Sequence, residues 1–290
     1  MLDRATGEPV WPIEERAVPA STVPGEVASP TQPFPTKPPA IDRQGISIDD
    51  LIDFTPELRA EAVRIVKQYV IGPQFTPPSI RGDGPGATLG TIQLVGATGG
   101  PSWHGAAFDP ETGMLYVPSR TAPFVADLMQ GNPARSDLRY RAGMRPLLQG
   151  PRGLPLVKPP YGRITALDLN RGETVWMVAN GDGPRDHPDL QALNLPPLGE
   201  AVPSAAIVTK TLLFVTEGDR GTPRSPPGAG GTKFKALDKA TGEKLWEIDL
   251  GLGAGANGTP MTYLHDGRQY VVVAVGGPDH PAELVALALQ

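Results

Sequence analysis

One pattern recurs along this chain, and it restricts the fold more than any compositional property. Residues 164–176 read Ile-Thr-Ala-Leu-Asp-Leu-Asn-Arg-Gly-Glu-Thr-Val-Trp, and residues 234–246 read Phe-Lys-Ala-Leu-Asp-Lys-Ala-Thr-Gly-Glu-Lys-Leu-Trp. A third copy, Leu-Asp-Arg-Ala-Thr-Gly-Glu-Pro-Val-Trp, occupies residues 2–11, and a fourth begins at Glu283 and runs as far as Gln290. Each copy reads as a β-hairpin. An apolar strand ends in Leu-Asp, a polar turn places Gly where positive φ is needed, and a second strand ends in Trp. The Asp side chain can accept hydrogen bonds from turn amides, and the Trp can fill the gap between neighbouring sheets.

Trp176 and Trp246 are 70 residues apart, room for four short strands and their loops. A second kind of hairpin alternates with the first, at residues 103–117, 203–215 and 259–274. Strand pairs alternating with a period above about 40 residues indicate the blades of a β-propeller. An ordinary antiparallel sandwich gives no reason for three matching Asp-x-x-x-Gly-x-x-x-Trp hairpins.

The pattern Ala-x-Asp-x-x-Thr-Gly-x-x-x-Trp resembles the tryptophan-docking motif of quinoprotein dehydrogenases, propellers that carry pyrroloquinoline quinone (PQQ). Residues 2–16, 29–34, 75–78, 258–263 and 271–277 resemble the quinoprotein glucose dehydrogenases, the last two including Gly-Thr-Pro-Met-Thr-Tyr and a Val-rich run. The resemblance covers nearly the whole chain and points to the C-terminal part of the family's catalytic domain. It implies an all-β fold: a partial β-propeller, about half of an eight-bladed ring of four-stranded antiparallel blades, with one inserted helix. Residues 1–290 would form that one partial domain, with residues 12–85 a Pro-rich and helical insertion between blades.

The chain is rich in Gly and Pro, 35 of each, which suits short strands joined by tight turns. A net charge of −5 leaves no basic footprint for nucleic acid. No segment reads as a transmembrane helix or a signal peptide, and the absence of cysteine excludes disulfides and thiolate metal sites. The start within a hairpin suggests a fragment, or a reading frame that opens at an internal Met.

In chain order, residues 1–11 read as the closing half of a blade. Residues 12–45, with Pro24, Pro30, Pro33, Pro35, Pro38 and Pro39, read as an extended surface segment. Leu51, Ile52, Leu58, Ala62, Ile65, Val66 and Tyr69 fall at helical spacing, with Thr55 as N-cap and Gly72 as the stop. Residues 87–95 read as a strand. Residues 119–160 read as a long loop whose arginines, Arg120, Arg135, Arg139, Arg141, Arg145 and Arg152, are solvated charges rather than a lid. His187, between Asp186 and Pro188, lacks a second His at ligand spacing and reads as a surface turn. The Gly/Pro stretch 217–231 reads as a loop, not a phosphate cradle.

PQQ is a planar tricarboxylated quinone, so its site needs flat contacts, cationic donors and a divalent ion. The resemblance places the family's general-base Asp and quinone-contacting Lys upstream of Leu2, with most ligands for calcium or magnesium. No catalytic residue and no metal ligand is therefore assigned within this chain. Cofactor contacts fall on Trp103, His104, Gly105 and His280. Trp103 reads either as a contact near the cofactor or as an inter-blade Trp. Gly276-Gly277-Pro278-Asp279-His280 resembles a Gly-Gly-His loop in which the His comes two residues late. Pro118 and Ser119 stand where the family often has an Asn, and Pro118 cannot supply that amide's hydrogen bonds.

The implied function is part of a PQQ-dependent dehydrogenase, inactive alone, oxidising glucose or a related sugar or alcohol. The other reading is a non-catalytic propeller scaffold or binding module. The implied partners are ubiquinone as electron acceptor and the remainder of the propeller, at the periplasmic face of the inner membrane. Two packing expectations follow. Trp176 and Trp246 should both be mostly buried, and an open arc should expose Val271, Val273, Leu284 and Leu287.

Overall fold

A computed structural model describes residues 1–82, 87–96, 99–143, 148–218, 230–251, 255–256, 258–277 and 280–288. Arg145 and most of the 217–231 loop lie outside the described residues. The fold is an all-β partial propeller with one α-helix, and the chain divides into two compact units. One comprises residues 1–99 and 121–158, the other residues 100–120 and 159–290.

The second unit holds three blade-type sheets. In the first, Ala107–Asp109, Met114–Arg120, Gly162–Asp168 and Glu173–Ala179 follow one another as an antiparallel meander. The second repeats this with Ala206–Val208, Leu212–Thr216, Lys233–Asp238 and Lys244–Asp249. In the third, Gly255–Ala256 and Met261–His265 share one edge of the long strand Arg268–Gly277, and His280–Ala288 takes the other. That sheet is three strands wide, and among the described residues no further strand pairs with the outer edge of His280–Ala288.

The repeat builds a turn whose chemistry is constant. Asp168 Oδ1 accepts the amides of Asn170 and Arg171, and Gly172 N donates to Asp168 O at 2.7 Å, with φ +66° at Gly172. Asp238 does the same with Ala240, Thr241 and Gly242, and Asp3 with Ala5, Thr6 and Gly7. Asp109–Gly113, which the sequence assigned to the other hairpin class, adopts the same geometry: Glu111 N reaches Asp109 Oδ1 and Gly113 N reaches Asp109 O. A carboxylate that collects turn amides fixes the chain reversal without help from packing.

The tryptophan is aimed by its strand. A register shift falls between Thr174 and Trp176, which leaves Trp176 opposite Ala166; a shift at the corresponding point leaves Trp246 opposite Ala236. A bulge rotates the next side chain, and the alanine across the ladder leaves room for an indole. Trp176 Nε1 then donates to Lys239 O of the second sheet's turn at 3.2 Å, and its ring covers Gly242. Lys239 Nζ returns to Asp109 at 2.7 Å, so the turn is held from both sides. The expected burial of both tryptophans holds only in part, because Trp246 is 42% exposed.

Two apolar seams join the sheets. Tyr116, Ile164 and Ala166 meet Leu213, Val215 and Leu237, with Trp176 against Tyr116. Phe214, Phe234 and Ala236 meet Val271, Val273 and Val275. Val271 and Val273 are therefore buried, contrary to expectation, because odd-numbered residues of that strand face the second sheet. Leu287 is half-buried on the same side; only Leu284, at 75% exposure, is as open as expected.

In the first unit the helix Pro56–Val66 buries Leu58, Ala62 and Val66 and is capped as expected: Thr55 Oγ1 accepts Leu58 N at 3.2 Å. It stops at Val66, short of Gly72. Three other readings need correction. Residues 12–45 contain a ladder between Ile13–Ala17 and Thr31–Pro35, since prolines are tolerated where a strand faces outward. The 87–95 strand contracts to Thr91–Gln93. The 119–160 stretch contains strands Phe124–Gln130 and Tyr140–Ala142. Its inward positions are Val125 and Asp127, and Asp127 pairs with Arg81 at 3.0 Å; a buried carboxylate in the alternation hid the strand. No described helix is long and apolar enough to cross a membrane.

Candidate functional site

In an antiparallel blade, the start of the first strand, the end of the second and the start of the third share one end of the sheet. Loops from successive sheets gather there, and the buried polar residues Ser119, Arg163, Asn180, Thr216 and Glu217 lie toward that end. Asn180, just past the fourth strand of the first sheet, donates from Nδ2 to Thr216 O at the end of the second sheet's second strand, 2.8 Å. The two sheets are thus aligned at this end.

Between them lies a crevice of about 200 Å³ lined in part by Asn180, Asp182, Glu217, Lys233, Lys235 and Glu247. Lys235 and Glu217 form a buried ion pair at 2.5 Å, with the Lys233 ammonium 3.6 Å from Asp182 and 3.7 Å from Glu247. Burial opposes the charge on Lys233, but Glu217, Glu247 and Asp182 outweigh it and raise its pKa. Glu200 is different. Desolvation pushes its carboxyl up, against the Gly230 and Gly183 amides that donate to it at 3.0 Å. Opposed charges lock this crevice, which suits a structural clasp better than an open ligand site.

The expected cofactor residues lie at the same end of the first and third sheets. Trp103, His104 and Gly105 lead into Ala107–Asp109. Trp103 is 97% exposed, so it is not an inter-blade tryptophan. His104 O accepts the Thr259 hydroxyl at 3.0 Å, which ties this loop to the third sheet, and His104 Nδ1 is buried without a hydrogen-bond partner. Gly105 has φ +77° and nothing within 4 Å of where a Cβ would stand, so backbone there is open to close approach. His280 opens the last strand, with Nε2 3.6 Å from Glu283. Trp103, His104 and Gly105 thus share one loop, while His280 stands on a different sheet. His187 sits in a turn where Asp189 N donates to its Nδ1 at 3.2 Å.

Two arginines at this end were not singled out as site residues. Arg120, read from sequence as solvated loop charge, is a buried strand terminus, and Arg163 is buried beside it. The signal was weak: nothing in Pro-Ser-Arg-Thr-Ala-Pro marks a strand end. Among the described residues, no group of three or more His, Cys, Asp or Glu could hold a metal ion.

Comparison with known proteins gives the family. Residues 1–271 match the family model described as PQQ, glucose/ethanol/alcohol dehydrogenase, beta-propeller domain. The chain belongs to this family. It is 28% identical to the glycerol dehydrogenase large subunit of Gluconobacter thailandicus, over 96% of this chain and 39% of that protein. Against the quinoprotein glucose dehydrogenase of Escherichia coli (strain K12) the identity is 30%, over 96% and 35% respectively. The quinate/shikimate dehydrogenase (quinone) of Acinetobacter baylyi is 27% identical over 100% of this chain and 37% of its own length. The chain therefore spans between a third and two fifths of the length of these relatives. Among solved structures, the quinohemoprotein alcohol dehydrogenase of Comamonas testosteroni aligns over 71% of this chain and 28% of its own, at 22% identity and TM-score 0.37.

Proposed function

We propose that this chain forms one side of the cofactor pocket of a PQQ-dependent dehydrogenase that oxidises glucose or a related sugar or alcohol. Its electrons would pass to a quinone acceptor, and the family setting is the periplasmic face of the inner membrane. The observation that carries the reading is the lead-in loop of the first sheet. It offers an unpacked indole at Trp103, an unpartnered buried nitrogen at His104 and open backbone at Gly105, in a chain whose family carries this cofactor.

These groups fit part of what a planar tricarboxylate needs. Trp103 supplies a flat face, and His104 and His280 supply ring nitrogens that can donate to its oxygens. When bound, the quinone takes up the two electrons removed from the substrate alcohol. This chain's share is to seat and orient the ring and to shield one of its faces from water. The divalent ion, calcium or magnesium, would need ligands beyond those described here, since no described cluster supplies them. The general base and the quinone-contacting lysine fall in the same category, and the remainder of the propeller is the partner that would bring them. The second reading is a non-catalytic propeller segment that acts as a scaffold or binding module.

The test is PQQ titration of the 290-residue chain, followed by tryptophan fluorescence, with wild type and Trp103→Ala. Saturable quenching that Trp103→Ala abolishes supports the pocket; no binding by wild type supports the scaffold. With PQQ, calcium or magnesium and glucose, the chain alone should reduce no dye, because the family resemblance places the general base, worth about 10²–10⁴-fold, outside it. Turnover typical of an intact enzyme would mean that the base lies within residues 1–290.

A further inference from the structure

Arg120 and Arg163 occupy the same level of the first sheet, yet only one of them is accounted for. The ladder pairs Ser119 with Arg163 and Arg120 with Gly162. Arg163 points to the face of Ser119: its Nε donates to Ser119 Oγ at 3.1 Å and its Nη1 to Pro160 O at 2.9 Å. Arg120 alternates to the opposite face, the one that carries Tyr116 toward the second sheet. The residue across the ladder there is a glycine, with no side chain to meet it.

Arg120 is 8% exposed. Its Nε is enclosed and has no hydrogen-bond partner, while its two terminal nitrogens are not enclosed. Among the described residues, no carboxylate lies within ion-pair distance of it and no acceptor takes a hydrogen bond from its side chain. Burial pushes its pKa down. A guanidinium keeps its charge at any physiological pH, so the fold bears the cost of burying it. Two other buried charges in this unit are matched by opposite ones, Lys235 by Glu217 and Asp109 by Lys239.

The position says where a match would come from. Arg120 N donates to Gly100 O at 3.1 Å, which fastens this strand end to the stretch that runs on through Trp103 and His104. His104 Nδ1, four residues along from Gly100, is also buried and unpartnered. An exposed indole, an unpartnered imidazole nitrogen and an unpartnered guanidinium therefore belong to one end of one sheet. The indole offers a flat face, and the guanidinium offers parallel N–H donors matched to a carboxylate.

We propose that Arg120 is an anion-recognition residue, the seat for a carboxylate of the ligand bound at this end of the first sheet. The identity of that ligand as the planar tricarboxylated quinone rests on the function proposed above; the anion site itself rests on Arg120.

Two probes separate the two. Wild type, Arg120→Gln and Arg120→Lys are titrated with PQQ and with pyridine-2,6-dicarboxylate, a rigid planar dicarboxylate without quinone oxygens, by calorimetry. Arg120→Gln should weaken both by about 10–100-fold, as loss of a charge-assisted bidentate contact does, and Arg120→Lys should recover part of the loss. Without ligand, Arg120→Gln should melt at or above the wild-type temperature, because it removes an uncompensated buried charge. Binding of the dicarboxylate through Arg120 without binding of PQQ leaves the anion site standing and removes the quinone. PQQ binding unchanged in Arg120→Gln overturns the anion site and leaves the quinone. A ligand-free Arg120→Gln that melts several degrees lower shows a structural arginine, and no binding of either probe by wild type overturns both.

Discussion

Trp176 and Trp246 occupy the same place in consecutive sheets and come to different ends. Each follows a bulge, and each lies opposite an alanine on the third strand. Trp176 lies over Gly242, touches Tyr116 at a ring-centroid distance of 5.8 Å and donates its N–H to Lys239 O. Trp246 is 42% exposed, and no described residue accepts a hydrogen bond from its ring. The difference is not in the tryptophan or its strand. It lies in the following sheet: the second sheet offers an Asp238–Gly242 turn as a platform, whereas the third sheet's equivalent turn would begin at Ala288, where the described residues stop. The motif is half of a joint, and the other half comes from the next copy of itself.

The largest effect should come from removing the indole on the two sides of this contrast. Trp176→Ala should destabilise the chain by about 2–4 kcal/mol, a little below the range for a fully buried aromatic, and Trp246→Ala by less than about 1 kcal/mol. Denaturant unfolding monitored by circular dichroism measures both. Equal losses would break the comparison.

The platform can be tested from its own side with a smaller expected effect. At Gly242, φ is +76° and a Cβ would stand 2.8 Å from the Trp176 ring, whereas at Gly7, φ is +77° and a Cβ would meet nothing within 4 Å. Both substitutions to Ala carry the left-handed backbone cost of about 1 kcal/mol. Gly242→Ala adds displacement of the ring, for a total of about 2–3 kcal/mol. If Gly242→Ala costs no more than Gly7→Ala, the ring does not rest on that turn.

The smallest effect concerns the ion pair that holds the same platform. The Lys239 hydrogen bond, then that of Thr112, keep the Asp109 carboxyl below its ordinary range. A depressed folded pKa means the pair contributes fully above the unfolded carboxyl value of about 3.9 and loses that contribution as pH falls toward the folded value. Lys239→Met should therefore lower stability near neutral pH, with a gap from wild type that narrows below about pH 4. The loss should stay modest because Thr112 Oγ1 and Glu111 N still donate to Asp109. A gap that stays constant from pH 7 to pH 2 would assign the effect to packing of the Lys239 stem instead.

The turn and the tryptophan were legible because their information is local. Asp168 reaches amides two and three residues away, and the Gly at the fifth position meets a backbone requirement no other residue satisfies cheaply. The helix was legible for the same reason, from Thr55 and the spacing of Leu58, Ala62 and Val66. The strand Phe124–Gln130 was not, because Asp127 faces inward and pairs with Arg81, so the alternation that marks a strand is broken by a charge. In the site, Trp103, His104, Gly105 and His280 came from a family pattern, while Arg120 was mistaken for solvated loop charge.

What the sequence by itself determined is the unit of construction: an Asp-anchored turn, a bulge, an aimed tryptophan, repeated, and hence an all-β fold of stacked antiparallel sheets. Those are contacts within a dozen residues, governed by backbone sterics and turn hydrogen bonds. Tertiary structure decided which repeats complete one another. Lys239 meets Asp109 across 130 residues, Val271 and Val273 turn toward Phe214 and Phe234, and Trp246 stays exposed among the described residues. It also decided that Arg120 is buried without a counter-ion, because burial depends on which strand stands alongside and what the next sheet covers. Pairing at long range depends on docked surfaces, and no local pattern encodes which surfaces will dock.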